Sequence, residues 1–481
     1  MVFSSLYFIF IFLPIVCILY YLFKLIFPNQ IIIRNAFLCL ASLFFYAWGE
    51  PVYIILMLVS ILCNYLFALK KSYFLLALAV IFNLAFLLVF KYTAFFIENL
   101  NLIWDTDFQI PHLELPIGIS FYTFQALSYV IDVYRGKVEK QKNILSLALY
   151  ISLFPQLIAG PIVRYIDIEK EISSRNENFT LFIDGLKDFC RGLAAKVIIA
   201  NNMAFFVDGV YSKLDTAICP IVWLAAICYM FQIYFDFSGY SRMAIGLGKM
   251  FGFHFPENFN YPYCASSVTD FWRRWHISLS SWFRDYVYIP LGGNRVGVLH
   301  HIFNILFTWL LTGFWHGASW NFVLWGLYYG IFLCIEKYIT LKAINACKED
   351  EFNFLAGFLK FFLRIFTIFI VLFGWILFRA DNLEMLVTIF KKCFDFTTSA
   401  SFNEKTGFID YITGNADMCS KLVFLVPAII FSFPLYPTLF KKASSNQAVY
   451  IIELFVDFAL FAFSVVLLVG STYNPFIYFR F

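Results

Sequence analysis

Long apolar runs separated by short polar connections make up most of the sequence. A helix needs about 20 apolar residues to cross the hydrocarbon core of a bilayer. The nine runs that best meet this requirement are Val2–Phe23, Ile31–Trp48, Val52–Leu69, Tyr73–Phe90, Ile144–Ala159, Pro220–Phe235, Phe361–Phe378, Leu422–Phe440 and Ala448–Val469. Weaker candidates are Leu115–Val133, Leu193–Val210 and Ile302–Ile335. The pattern therefore predicts an all-α polytopic membrane protein with roughly ten to twelve membrane segments.

The composition agrees with this class and excludes others. Hydrophobic residues make up 62% of the 481 residues and charged residues 14%, against roughly 45–50% and about 25% in a soluble domain. A soluble core cannot bury so much apolar surface, which excludes a soluble enzyme, a disordered scaffold and a secreted disulfide module. The net charge of +4 gives no reason to expect nucleic acid as a partner. Because no repeat or low-complexity linker is visible, we expect one membrane domain over residues 1–481.

Basic residues in the connections predict the orientation. Lys24 and Arg34 follow the first run, and Lys70 and Lys71 follow the third, whereas the connection over residues 92–116 is acidic. By the positive-inside rule, the basic connections are cytoplasmic and the N-terminus is outside. The first run has no basic stretch before it and no small-residue cleavage site, so we expect it to remain as the first span.

A 34-residue tract without Asp, Glu, Lys or Arg, Ile302–Ile335, contains His316. One straight helix of this length would measure roughly 51 Å, well beyond a core of about 30 Å, while two full spans need about 40 residues. We therefore expect a bend near Gly313 and Gly317, with His316 below the far membrane interface. An ionisable side chain at that depth is costly and indicates a functional site. The alternative is a neutral imidazole bonded to a carbonyl of a neighbouring helix.

A second polar feature lies between Ser266 and Ile289. Its helical spacing places on one face Trp272, Trp275, His276, Leu279 and Phe283. The opposite face holds Arg274, Ser278, Ser281 and Asp285, and Asp270 is placed to pair with Arg274 four residues later. Such a helix is too polar to face lipid on all sides, so it lines a cavity or lies in the interface. The alternative is a surface helix with His276 packed among tryptophans.

Asp236 is an acidic residue near membrane depth, at the end of an apolar run. Three roles are open for its side chain: orienting a histidine, capping the next helix, or pairing with an arginine. A structural role is favoured over a catalytic one. The sequence has no phosphate-binding glycine loop, no nucleophile elbow and no HExxH zinc motif. A histidine general base acting on a substrate hydroxyl therefore fits better than a serine ester of the protein.

Several stretches of the sequence resemble the membrane-bound O-acyltransferase family, in the bacterial branch of the alginate O-acetylation membrane protein. The matching stretches are Met1–Ser5 (MVFSS), Leu115–Gly136 (LPIGISFYTFQALSYVIDVYRG), Phe154–Arg164 (FPQLIAGPIVR), Phe235–Gly246 (FDFSGYSRMAIG), Asp270–Arg295 (DFWRRWHISLSSWFRDYVYIPLGGNR), Thr308–Tyr328 (TWLLTGFWHGASWNFVLWGLY) and Trp375–Ala380 (WILFRA). The resemblance covers nearly the whole chain, and its two central stretches are the most specific. One departure is Arg242, where the branch usually has an acidic residue.

The resemblance implies a fold and a site. The fold would be a ring of helices around a thinned centre, with funnels opening to the cytoplasm and to the outside. The catalytic core would lie at about residues 232–335, with His316 of the Trp–His–Gly motif as the catalytic histidine and His276 as the second polar position. The supporting or funnel-lining candidates are Asp236, Arg273, Arg274, Asp285, Trp315 and Asn321. No metal and no bound cofactor are expected.

The expected reaction moves an acyl group, most simply acetyl, from a cytoplasmic thioester such as acetyl-CoA to a hydroxyl. The acceptor would be an envelope polysaccharide such as alginate or peptidoglycan, or a periplasmic or membrane-anchored acetyltransferase partner that completes the transfer. The location would be the bacterial inner membrane. D-alanyl transfer to teichoic acid is the alternative chemistry. A transporter or flippase with a histidine proton relay is the alternative of another class; it predicts a repeat between halves, which is not visible.

Overall fold

In a computed structural model, helices form nearly all the regular structure of the chain. The structure describes residues 1–111, 113–340, 353–395, 411–435, 447–471 and 473–477, and these ranges contain no β-strand. The α-helices in them are α1 (Leu13–Ile26), α2 (Ile31–Gly49), α3 (Ile54–Ala68), α4 (Tyr73–Leu87), α5 (Thr93–Trp104), α6 (Ile119–Arg135), α7 (Ile144–Ser152), α8 (Phe154–Leu157), α9 (Tyr165–Ser173), α10 (Phe179–Ala194), α11 (Asn201–Tyr211), α12 (Cys219–Met250), α13 (Val268–Arg274), α14 (Ile277–Phe283), α15 (Val298–His316), α16 (Trp320–Ile335), α17 (Asn353–Arg379), α18 (Leu383–Cys393), α19 (Ala416–Ser420), α20 (Leu425–Phe431) and α21 (Gln447–Gly470).

Nine helical runs in the described part of the chain are long and apolar enough to cross a membrane. They are Phe8–Ile26, Ile31–Gly49, Tyr73–Trp104, Phe179–Tyr211, Cys219–Met250, Val298–His316, Trp320–Ile339, Phe361–Arg379 and Ala448–Gly470, and Ile54–Ala68 is a shorter apolar helix. Large apolar side chains of these helices are exposed, such as Phe455 and Phe458 at 71% and 69%. In water such a surface would be unstable, but in a bilayer it faces acyl chains. The prediction of an all-α polytopic membrane protein is confirmed.

Two predicted spans have a different structure. Ile144–Ala159 divides into α7 and α8, of nine and four residues, which are too short to cross a bilayer. The helix is interrupted at Leu153, and Pro155 follows at the start of α8. Leu147, Leu149 and other apolar side chains of α7 are fully buried, so this run packs inside protein. Leu422–Phe440 contains only short helices in its described part, and residues 436–440 lie outside the described residues.

The Ile302–Ile335 tract breaks near the predicted position but forms two span-length helices. The first apolar helix begins at Val298, four residues before the tract, and ends at His316; the second continues to Ile339. The 19 residues of the first helix correspond to roughly 28 Å, nearly the thickness of the hydrocarbon core. The tract therefore supplies two helices that are each long enough to span a membrane, instead of one bent span. The length argument for the depth of His316 no longer holds. The first helix begins before the tract because His300 and His301 are accommodated inside it.

The chain divides into two compact units, which are described separately. The first unit comprises Met1–Leu193, Tyr240–Glu257 and Leu460–Gly470, and the second comprises Ala194–Gly239, Asn258–Ala459 and Ser471–Phe481. All the predicted site residues belong to the second unit. The expectation of one functional domain over residues 1–481 stays a prediction.

In the first unit, one buried carboxylate connects three cationic side chains. Glu177 lies 3.3 Å from Arg34, 3.5 Å from Lys24 and 3.7 Å from Arg175, and it accepts a hydrogen bond from the Tyr20 hydroxyl. A buried charge is stable only when it is paired and hydrogen-bonded, so these contacts join α1 and α2 to the connection after α9. Lys24 and Arg34, which served as topology markers in the sequence, therefore also stabilise packing.

Candidate active site

The segment around His276 is a broken helix. The sequence pattern predicted one helix over Ser266–Ile289, but α13 ends at Arg274 and α14 begins at Ile277. His276 has φ 44° and ψ 54°, in the left-handed region that L-residues other than glycine seldom adopt. The prediction of a single helical face is therefore wrong, because the backbone reverses its twist between Trp275 and His276.

Main-chain hydrogen bonds hold this break in place. The Asn260 amide donates to the Arg274 carbonyl at 2.9 Å, and the Ile277 amide donates to the Asn258 carbonyl at 3.0 Å. Between them Phe259 and Trp275 form an isolated antiparallel bridge. These bonds impose a backbone conformation that costs roughly 1–2 kcal/mol in an L-residue. Backbone strain held by surrounding structure is typical of functional sites.

The His276 side chain is almost completely buried. The residue is 1% exposed, and its ring meets the Phe237 ring edge to face, with centroids 4.6 Å apart. Its Nδ1 lies 3.0 Å from Asn258 Oδ1. Burial lowers the pKa of His276 to about 3, because the charged imidazolium is poorly solvated there. At neutral pH His276 is therefore a neutral imidazole.

His316 is the last residue of α15, and aromatic rings surround it. It is 5% exposed, and its ring packs edge to face against Trp325 at 5.0 Å and Phe378 at 5.1 Å. Trp325 belongs to α16 and Phe378 to α17, so three helices position this imidazole. An aromatic wall excludes water from the ring without offering a charge to it. Such an environment favours proton transfer to a substrate group over exchange with solvent.

Two glycines allow α15 and α16 to pack at backbone contact. A Cβ atom on Gly313 would lie 2.2 Å from the Phe322 carbonyl oxygen, and one on Gly326 would lie 2.3 Å from the Trp309 carbonyl oxygen. Small residues at such positions permit close helix packing in membranes. Gly313, which was predicted to mark a bend, is instead a helical residue at this close contact, and the break begins at Gly317. The close approach brings Trp325 to the His316 ring.

Trp315 connects the two histidines. Its ring centroid lies 6.1 Å from that of His276 and 4.9 Å from that of His316. Trp315 is itself 5% exposed. The structure thus brings together three of the residues that the sequence predicted, His276, His316 and Trp315, although 40 positions separate the histidines in sequence. Two buried imidazoles beside one indole can hold and transfer a proton.

Asp236 lies in the middle of α12 and contacts neither histidine among the contacts described. Its Oδ1 is 2.6 Å from Lys196 Nζ, and its Oδ2 accepts a hydrogen bond from the Ile477 amide at 2.8 Å. Both side chains of the ion pair are at most 3% exposed. The acid therefore pairs with a lysine, which differs from all three roles considered from sequence. Its contacts tie Lys196 and the Ile477 backbone to α12.

The remaining candidates lie around this centre. Asn321 donates to the Ala380 carbonyl at 2.7 Å and so fixes the start of α16 against the end of α17. Arg274 pairs with Asp270 at 2.9 Å, as the four-residue spacing predicted. Asp285 pairs with Arg284 at 2.8 Å, and Arg273 is exposed at the end of α13. The participation of Asn321 and of these charged residues in the site stays a prediction.

Three contacts of the predicted site residues were missed in the sequence. Asn258 lies 18 residues before its partner His276 in an irregular segment, and no periodicity or motif indicated the contact. Phe378 lies in the WILFRA stretch, which carried the resemblance but suggested no role for this ring. Lys196 did give a signal: it is a lone cation in an apolar run, and such a residue usually pairs with an acid in another span.

No group of three or more His, Cys, Asp or Glu side chains that could hold a metal ion occurs among the residues that the structure describes. The groups that the structure brings together at the site are two imidazoles, aromatic rings and an amide side chain. These groups are suited to proton transfer and to holding a hydroxyl near an acyl carbonyl.

Comparison with known proteins defines the family. Residues 138–378 match MBOAT, the membrane-bound O-acyltransferase family. The probable alginate O-acetylase AlgI of Pseudomonas putida is 41% identical over 411 residues, which cover 82% of this chain and 81% of that protein. The peptidoglycan O-acetyltransferase of Helicobacter pylori is 38% identical over 426 residues, covering 81% and 79%. The teichoic acid D-alanyltransferase of Bacillus subtilis is 30% identical over 231 residues, covering 45% and 58%.

The chain belongs to the membrane-bound O-acyltransferase family. The matched range contains both buried histidines and the helices that surround them. The predictions of an O-acyltransferase and of a multi-pass membrane protein are confirmed. The catalytic roles of His316 and His276 stay predictions, which the following proposals develop.

Proposed function

We propose that this protein transfers an acetyl group from a cytoplasmic thioester donor, such as acetyl-CoA, to a hydroxyl of an envelope polysaccharide or of a partner that completes the transfer. The observation that carries the proposal is the burial of His276 and His316 beside the same neighbour, Trp315. The names of the relatives support the substrate class: two are described as O-acetyl-transferring proteins that act on alginate or peptidoglycan. They match more of this chain, at higher identity, than the D-alanyltransferase does.

His316 is the proposed general base. As the acceptor oxygen attacks the carbonyl carbon of the thioester, its proton moves to the neutral imidazole. The tetrahedral intermediate then collapses, the carbon–sulfur bond breaks, and the thiolate leaves with the proton that His316 received. His276 orients the reactants or stabilises the oxyanion. In the alternative scheme His316 attacks the thioester itself and carries the acetyl group as an acyl-imidazole.

The aromatic environment of His316 suits either scheme. Trp325 and Phe378 exclude water from the ring, and water would otherwise compete with the acceptor hydroxyl for the acyl group. Arg273 and Arg274 supply positive charge for the phosphates of a CoA-type donor, although Arg274 is already paired with Asp270.

The proposed location is the bacterial inner membrane, with the N-terminus outside and the donor on the cytoplasmic side. A periplasmic or membrane-anchored acetyltransferase would be the partner that receives the acetyl group when the polysaccharide is not the direct acceptor. The basic connections after the first and third spans support this orientation. Cysteine labelling of the connections from either side of the membrane tests it.

Mass spectrometry of envelope glycans tests the proposed reaction in cells. Cells with the wild-type protein are compared with cells that lack it and with cells that carry His316→Ala. The proposal expects base-labile acetyl esters on a glycan in the first strain and their loss in the other two. Esters of D-alanine in place of acetate would show the alternative chemistry, and an unchanged glycan profile in all three strains would contradict O-acyl transfer to an envelope polymer.

A labelled donor separates the two schemes. Purified protein is incubated with radiolabelled acetyl-CoA without acceptor, quenched, and digested. Label on the peptide that contains His316, and its absence in His316→Ala, would favour the acyl-imidazole. Transfer to a hydroxyl acceptor without labelled protein at any time point supports the general base.

A further inference from the structure

We infer that Asn258 is a positioning residue that fixes His276 as the Nδ1-protonated tautomer, so that Nε2 presents a lone pair to a donor group of the bound acceptor. The inference rests on the proposed function and decides between the two roles left open there for His276. It assigns His276 the role of hydrogen-bond acceptor and excludes oxyanion stabilisation by this ring.

The identity of the Asn258 oxygen follows from its partners. The backbone amide of Ser278 lies 3.2 Å from Asn258 Oδ1, and a backbone N–H can only donate. The Ser278 hydroxyl donates to the same atom at 2.9 Å. The atom at this position must therefore be the carbonyl oxygen of the amide and not its nitrogen. The usual ambiguity between the two ends of an asparagine side chain does not arise here.

The tautomer of His276 follows in turn. Its Nδ1 lies 3.0 Å from this oxygen, which carries no proton, so Nδ1 must donate. A neutral imidazole with a proton on Nδ1 has a lone pair on Nε2. The ring stays neutral at physiological pH because burial lowers the pKa of His276 to about 3.

The backbone ensures that the two side chains meet. The bonds Asn260 N–H to Arg274 C=O and Ile277 N–H to Asn258 C=O fasten the 258–260 segment along the helix break. Asn258 is 1% exposed, like His276. The left-handed conformation of His276 turns its side chain away from the helical path that α13 would have continued. The strain in this residue therefore has a structural consequence: it brings Nδ1 to Asn258.

The tautomer constrains what His276 can do. An oxyanion needs a hydrogen-bond donor, and Nε2 of this tautomer has no proton to give. A substrate hydroxyl or amide, in contrast, can donate to Nε2. The reacting hydroxyl has one proton, which passes to His316 in the general-base scheme. His276 thus accepts a hydrogen bond from a second group of the molecule that receives the acyl group. In a sugar ring, a neighbouring hydroxyl is such a group.

Nitrogen-15 NMR of the full-length protein, labelled on histidine and placed in lipid bilayers, tests the tautomer without any activity assay. A ring nitrogen with a proton and one without have well-separated shifts. The signals of His276 are identified by their loss in His276→Asn, which suits a left-handed backbone. We expect protonated Nδ1 and unprotonated Nε2 from pH 7 to pH 5. A proton on Nε2, or an imidazolium in this range, would overturn the inference.

Asn258→Asp and Asn258→Ala extend the test. Aspartate keeps an acceptor oxygen beside Nδ1 and adds a negative charge there. A nearby negative charge favours the imidazolium and so raises the pKa of His276. We expect imidazolium signals at higher pH than in the wild type. Alanine removes the acceptor, and we expect a mixture of both tautomers. Unchanged signals in both variants would contradict a positioning role.

Kinetics supply the functional readout. With radiolabelled acetyl-CoA and an oligosaccharide acceptor, Asn258→Ala is expected to lower kcat about tenfold or more, with little change in KM for the donor. The Asn258→Asp variant is expected to be more active than Asn258→Ala at high pH, where His276 is neutral. It is expected to lose activity toward low pH, where His276 becomes an imidazolium. The matched control is Asn304→Ala, since Asn304 is equally buried in the second unit and donates to the Leu291 and Gly293 carbonyls. An equal loss in this control would reduce Asn258 to a general packing role.

The failure of this inference and the failure of the proposed function are distinguishable. An active wild-type protein with a proton on Nε2 of His276 would leave acyl transfer intact and overturn the inference. If the wild-type protein has the expected tautomer but the His316→Ala variant transfers acetyl at the wild-type rate, the mechanism is overturned and the tautomer assignment stands.

Discussion

The buried ion pair between Lys196 and Asp236 allows a structural role to be separated from a catalytic one. Its atoms lie 2.6 Å apart, and both side chains are at most 3% exposed. The charge-neutralising change Asp236→Asn keeps an oxygen that can accept from the Ile477 amide, and so removes only the negative charge. Lys196 is then left as an uncompensated buried cation.

Breaking a buried pair from one side costs roughly 3–5 kcal/mol, because the remaining charge is not solvated. We therefore expect Asp236→Asn to lower the midpoint of thermal unfolding by on the order of 5 °C. Lys196→Met should have a similar effect, since it leaves the carboxylate unpaired. The double variant removes both charges and should be destabilised less than the sum of the single variants.

Thermal unfolding of the purified protein in one detergent, followed by tryptophan fluorescence, measures this cycle. Acetyl transfer is measured in parallel and expressed per folded protein. If the ion pair has a structural role, the folded fraction of each variant should have near-normal specific activity. The reasoning would be refuted by an Asp236→Asn protein of wild-type stability with strongly reduced specific activity, because the carboxylate would then act in the chemistry.

Two further predictions concern packing and pH. Gly313→Val should disrupt the close contact of α15 with α16, because the new Cβ would lie 2.2 Å from the Phe322 carbonyl oxygen. The free energy of unfolding should fall by several kcal/mol. Wild-type expression and stability of this variant would show that the two helices can separate without loss. The pKa of His276 is about 3 in the folded protein against a usual 6.5, so the unfolded chain takes up this proton first as pH falls. The free energy of unfolding should therefore fall by about 1.4 kcal/mol per pH unit below pH 6.5 toward pH 3. His276→Asn should flatten this dependence of the unfolding midpoint, and an identical slope in both proteins would show that His276 is not the group responsible.

The sequence predicts helices that face lipid well, since length and composition determine them. The run Ile31–Trp48 forms a helix over Ile31–Gly49, one residue longer than expected. The Ile144–Ala159 run misleads because burial in protein and exposure to lipid select the same apolar residues. Only the break at Leu153 and the short length of α7 and α8 distinguish the two, and neither is visible in hydropathy.

The site was predictable only in part. His316 and His276 were named from polarity in apolar surroundings and from the resemblance, and the structure places both rings beside Trp315. The periodicity around His276 continued across a break that it could not reveal, because hydrogen bonds from residues 258–260 impose the left-handed turn. Asn258 was missed for the same reason: its role depends on a contact formed only by the folded chain.

His316 is the residue on which the proposed chemistry depends most directly. Its replacement by glutamine keeps a polar side chain of similar length and removes the proton acceptor. His301→Gln is the matched control, because His301 is also buried in α15 but bonds to the Tyr288 hydroxyl. Acetyl transfer from radiolabelled acetyl-CoA to an oligosaccharide, by equal amounts of folded protein, should fall at least about a hundredfold in His316→Gln and remain near the wild-type rate in His301→Gln. A wild-type rate in His316→Gln would contradict the account.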